Sequence, residues 1–131
     1  MKKEITVGGV AIPCVANAFT PILYRQIFHK DFMTEMQSFA RLKGKKSTEY
    51  TDDDKALALE RKESFSALAF CMKEQATDKK TSELVKLSQL DYYDWLASFE
   101  PMAFDDVGTI TDILTLWRGN AEDKHIDAKN R

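Results

Sequence analysis

The chain's most reactive side chains are two histidines and two cysteines, and their placement offers little chemistry. His29 and Asp31 stand too close in sequence to share a helix face, and His125 lies near the C-terminus among polar residues. A nucleophilic thiol would need Cys14 or Cys71 paired with His29 across the fold, and no serine or cysteine sits in a nucleophile motif, so structural roles are favoured. Asp52, Asp53 and Asp54 could attract a cation, but they lack the alternate spacing and the glycine of a calcium loop. Their charge suits the positive end of a helix instead, as does that of Asp105 and Asp106. Neither cysteine has a CxxC partner, which leaves zinc without ligands. Gly8-Gly9 reads as a turn and Gly108 stands alone, so there is no phosphate-cradling loop. No catalytic residue, cofactor or metal is expected.

The apolar residues carry more information, above all between Asp91 and Asn120. Val107, Ile110, Leu114 and Trp117 fall at i, i+3, i+7 and i+10, one stripe of a helix, with Val107 and Trp117 expected in the core. Just upstream, Tyr92, Tyr93, Trp95 and Phe99 crowd a short helix among acidic neighbours. Four aromatics so close together cannot all point inward from a short helix, so one or two should remain exposed, as interface aromatics are. These four are the candidate partner-binding residues.

Other elements must position that segment. Ile5-Thr6-Val7 and Val10-Ala11-Ile12 flank Gly8-Gly9 and predict a two-stranded hairpin over about residues 5–15. Pro13 cannot donate to a ladder, so the second strand should be an edge or bulge, and the hairpin must pack on helices or pair with another chain. Thr20-Pro21 reads as the N-cap and first residue of a helix with Leu23, Tyr24, Ile27 and Phe28 on its apolar side. A break at His29-Lys30-Asp31 leads into a helix capped by Asp31 with Phe32, Met36 and Phe39 inward. Gly44 and the polar run to Thr51 form a loop. A long helix starts within Thr51 to Asp54 and carries Phe65, Leu68, Ala69 and Met72 as its stripe. Ala76 to Ser82 is a polar break, and Leu84, Leu87 and Leu90 suggest a short helix or turn. Pro101 separates the aromatic helix from the last one, which Gly119-Asn120 should terminate. The expectation is an α+β fold: one mainly helical domain over residues 1–120 with an N-terminal hairpin, then a flexible polar tail over 121–131.

Bulk properties narrow the function classes. A chain of 131 residues that is 44% hydrophobic and 31% charged can bury one core and stay folded. A net charge of -2 and a pI near 5.7 disfavour a nucleic-acid coat, and the small basic knot at Lys43, Lys45 and Lys46 reads as a solvated loop. A recognition helix would cluster cations, whereas the last helix has Asp105, Asp106 and Asp112 against Arg118. No apolar run approaches the roughly 20 residues of a membrane span, and Met1 to Ile5 lacks a signal's apolar region. Both cysteines read as buried hydrophobes in a reducing compartment, so the expected location is cytosolic.

Taken in order, several pieces resemble the tail assembly chaperones of long-tailed bacteriophages, of the type common in phages and prophages of Gram-positive hosts. These are the hairpin Ile5-Thr6-Val7-Gly8-Gly9 leading through Ile12 to Ala16, and Tyr24-Arg25 followed by Phe28 and Asp31. They continue with Tyr93-Asp94-Trp95-Leu96 and Phe99, and close with Ile113-Leu114 to Leu116-Trp117-Arg118-Gly119-Asn120 and a polar tail. Each piece is short; their order and the total length carry the likeness over nearly the whole chain. His29 stands where relatives carry glycine, and the tail mixes Glu122, Asp123 and Asp127 with Lys124 and Lys129 where relatives are lysine-rich.

The resemblance implies a non-catalytic role. Such chaperones bind the long, aggregation-prone tape measure protein in the host cytoplasm, help recruit tail tube subunits around it, and are absent from the finished virion. Self-association is compatible with that role, and neither nucleic acid nor membrane is an expected partner. The alternative is a structural component of the tail or head–tail junction whose hairpin edge pairs with neighbouring subunits. The family also often makes a longer product by ribosomal frameshifting. Ala128-Lys129-Asn130 can be encoded as GCA AAA AAC, a run on which two ribosome-bound tRNAs can slip back one base.

Overall fold

A computed structural model describes the backbone of residues 2–130 and the side chains of residues 3–119. Strands β1 (Lys2–Val7) and β2 (Val10–Val15) pair antiparallel, with Lys2 opposite Val15 and Val7 opposite Val10. The two-residue turn between them needs positive φ at both positions, and Gly8 and Gly9 supply φ of 56° and 81°. Six helices follow: α1 (Thr20–Phe28), α2 (Phe32–Phe39), α3 (Asp52–Gln75), α4 (Thr81–Leu84), α5 (Gln89–Leu96) and α6 (Val107–Asn130). The fold is α+β, mainly helical, with an N-terminal hairpin, as the sequence predicts.

Helix α3 is the axis, with β2, α1, α2, α5 and α6 against it, while α6 also packs on β1. The predicted stripe of α3, Phe65, Leu68, Ala69 and Met72, is buried, and so is every other residue from Ser64 to Met72. Small residues (Ser64, Ser66, Ala67, Ala69 and Cys71) let neighbours approach all round that half of the helix. Its buried hydroxyls are paired. Ser64 Oγ donates to Glu35 Oε2 at 2.7 Å, and Ser66 Oγ donates to the Glu63 carbonyl at 2.9 Å. Glu35 also accepts from the Tyr24 hydroxyl at 2.5 Å, so one carboxylate on α2 ties α1 to α3. Burial first, and then this bond to Glu35, push the Tyr24 phenol well above its ordinary range. Leu23, Ile27, Phe32, Leu68, Ile113 and Leu116 fill the centre, each worth about 1.5–3 kcal/mol of transfer free energy.

Helix ends follow local chemistry. Asp31 caps α2 by accepting from the Met33 N–H at 3.1 Å, and Thr51 and Asp54 form a capping box at the start of α3. His29 ends α1 in the left-handed region, φ 57°, with its N–H on the Arg25 carbonyl.

Three expectations are corrected. Thr20 is the first residue of α1 rather than its cap: its hydroxyl accepts from the Asn17 N–H and donates to Gln75 Oε1 at 2.7 Å, tethering α1 to the end of α3. Val107 is 78% exposed at the start of α6, and Trp117 is half-buried against Phe32 with ring centres 5.1 Å apart. The buried side chains of α6 among the described residues, Thr109, Ile113 and Leu116, lie one residue out of phase with the predicted stripe. Finally, α6 does not stop at Gly119-Asn120 but runs to Asn130. The side chains of residues 120–131, and with them the expected mobile tail and His125, lie outside the described residues.

Candidate protein-binding surface

Helix α5 opens with a capping box, Ser88 N–H donating to Asp91 Oδ2 at 2.9 Å and Asp91 N–H to Ser88 Oγ at 3.4 Å. This fixes the rotation of a helix only eight residues long, and so decides which aromatic faces inward. Tyr92 does. It is 6% exposed, its ring lies edge-on to Phe28 at 5.0 Å and to Phe70 at 5.6 Å, and its hydroxyl shares a hydrogen bond with Ser66 Oγ at 2.6 Å. Burial pushes its phenol up to about 12. Tyr92 is therefore a core anchor, correcting its place among the partner-binding residues: the short helix must bury one aromatic to dock at all.

The other three aromatics fit a surface role to different degrees. Tyr93 turns outward and is 52% exposed. Trp95 and Phe99 are half-buried and stack edge-to-face at 5.1 Å, each also touching Phe104 at 5.7 Å. Lys73 Nζ lies 5.5 Å from the Trp95 ring centre, a cation–π contact that leaves the ring's outer parts available. Phe99 also approaches the hairpin: a side chain at Gly8 would meet Phe99 and Ala103 at 3.7 and 3.5 Å.

Between the hairpin turn and this aromatic group runs a cleft of about 790 Å³. Val10 and Met102 line it, exposed to solvent, with Glu100 and Asp106 among its polar groups. On the other flank of α5, a smaller cleft of about 250 Å³ is lined by Tyr93, Leu96, Phe28 and Lys30. The sequence missed Val10 and Met102. A lone valine after a turn and a methionine after Pro101 carry no periodic signal, and only the meeting of hairpin and linker makes them one surface. Thr109 secures that meeting, its hydroxyl donating to the Thr6 carbonyl at 2.6 Å.

The residues with reactive side chains occupy different settings. Cys14 and Cys71 are buried free thiols, and burial raises both, Cys14 to about 12, the opposite of what a nucleophile needs. His29 is exposed at the end of α1. Asp54 is buried and accepts from Arg41 Nε at 2.9 Å, Lys45 Nζ at 2.9 Å and the Thr51 N–H at 3.1 Å. Lys45 first, then Thr51, hold its carboxyl well below the usual range. Among the described residues no helix is long and apolar enough to cross a membrane. Comparison with protein-family models, curated proteins and solved structures finds no match for this chain.

Proposed function

We propose that this protein is a tail assembly chaperone of a long-tailed phage or prophage. It binds the tape measure protein in the host cytoplasm, helps recruit tail tube subunits around it, and leaves before the virion is complete. The observation that carries the reading is the surface along α5 and the hairpin. Tyr93, Met102 and Val10 are exposed beside half-buried Trp95 and Phe99, with Glu100 and Asp106 at the margin. Such a surface suits the apolar face of a partner helix, and its modest size suits a reversible hold that tube subunits can displace. The ordered likeness of the hairpin, the Tyr93-Asp94-Trp95-Leu96 segment and the closing Leu116-Trp117-Arg118-Gly119 to that family supports the same conclusion.

A structural subunit of the tail or head–tail junction is the second reading. The hairpin favours it, because among the described residues each strand has one hydrogen-bonded neighbour and so an open outer edge. Mass spectrometry separates the two. A chaperone is abundant in lysates of phage-producing cells and missing from purified particles; recovery from particles in fixed ratio to the tube subunit would establish the structural role instead.

A further inference from the structure

A second groove lies away from the α5 surface, between α2, the first half of α3 and α6, with a volume of about 1010 Å³. Its floor is apolar: Met36, Phe39, Phe65, Ile110 and Leu114. Leu59 and Val107 stand at its lips, 62% and 78% exposed. Exposed aliphatics facing one groove are the mark of a docking surface rather than of scattered surface apolarity.

The rim is mostly cationic. Lys43, Lys55, Arg61, Lys62 and Arg118 border the groove, against Asp105 as its carboxylate. Asp105 is bound to Lys62 at 2.8 Å. Among the described residues the other four cations have no ion-pair partner, whereas Arg41 and Lys45, just outside, are both held by Asp54. In a chain whose net charge is -2, this groove gathers positive charge without an ion-pair partner among the described residues around apolar side chains.

Its length suits a helix. From Val107 to Arg118 along α6, and from Lys55 to Phe65 along α3, the walls run about 15–17 Å at about 1.5 Å per residue. That is about three turns, enough for anchors at i, i+3 or i+4, and i+7. We propose that this groove binds an acidic amphipathic helix of a partner protein, its apolar stripe on Phe39, Phe65 and Leu114 and its carboxylates on the rim. A second copy of this chain is a poor occupant, because its acidic helix α5 is short and already buries Tyr92. The inference does not depend on the proposed function.

The test uses the full chain and two labelled synthetic helical peptides with one leucine stripe, one carrying glutamates elsewhere and its twin lysines. Fluorescence anisotropy should show the glutamate peptide binding at least about tenfold tighter at low salt, with the gap shrinking at about 1 M salt, where the screening length falls to about 3 Å. Leu59→Glu and the double change Lys55→Glu with Arg61→Glu should each weaken that peptide about tenfold or more while the thermal midpoint holds. If Leu59→Glu unfolds the chain, Val107→Glu, at a more exposed lip, replaces it. Equal binding of both peptides, no binding, or binding indifferent to these changes would overturn the proposal. So would a wild-type dimer in sedimentation that Leu59→Glu dissociates, which would give the groove to a second copy.

Discussion

Tyr92 and Tyr93 adjoin in sequence and face opposite ways in the fold, which sets what each substitution does. Tyr92 fills the space between Phe28 and Phe70, so Tyr92→Ala should cost about 3–5 kcal/mol, the range for deleting a buried large aromatic. Tyr93→Ala should stay within about 0.5 kcal/mol of wild type, because its ring faces solvent. Urea midpoints of the two variants check this, and a costly Tyr93→Ala would show that its ring is not free for a partner. Asp54 makes the pH dependence specific. Its folded-state carboxyl titrates below the ordinary 3.8, so the unfolded chain takes up the proton first. Its stabilising effect is therefore fully present above about pH 4 and is lost as pH falls through the ordinary value toward the folded one. Asp54→Asn should flatten that acid limb of the stability profile while lowering stability at neutral pH; an unchanged limb would place the acid sensitivity elsewhere.

At the scale of elements, the chain break between α1 and α2 is made by His29 at φ 57°. An L-residue in that region is strained and glycine is not, so His29→Gly should raise stability by about 1 kcal/mol, read as a shift of the thermal midpoint. A loss would mean that the imidazole makes a compensating contact. Trp117→Ala should cost about 2–3 kcal/mol, less than a fully buried tryptophan, because the ring is half-exposed against Phe32. Val107→Ala should be close to neutral. The features legible in the sequence were those set by neighbours a few residues away: the Gly8-Gly9 turn, the Asp31 cap, the start of the long helix within Thr51 to Asp54, and the break before Pro101. Those that needed the assembled fold were not. The phase of α6 is set by the floor beneath Thr109, Ile113 and Leu116, and one residue of error turns a helix by about 100°. Thr20 reads as a cap until Gln75 is brought beside it, and Tyr92 reads like its neighbours until Ser66 claims its hydroxyl. The candidate surface was legible as a segment, α5, but its partners Val10 and Met102 arise only where hairpin and linker meet.

At the scale of the molecule, α3 is the axis between two dissimilar surfaces: an aromatic one with acidic margins beside the hairpin, and an apolar groove with a mostly basic rim along α6. Both surfaces set exposed apolar side chains beside charged margins, and both proposals made above rest on that combination. A chaperone that must grip a long helical client and yield it to incoming subunits needs contacts of this kind, limited in area and made at exposed side chains. The most direct measurement is co-expression of this chain with a fragment of the tape measure protein encoded in the same genome, followed by sedimentation of the lysate. The fragment should move from the pellet to the supernatant with this chain bound to it, and the folded variant combining Tyr93→Ala with Met102→Ala should lose most of that effect. A fragment that stays in the pellet beside abundant soluble wild-type chain would contradict the account.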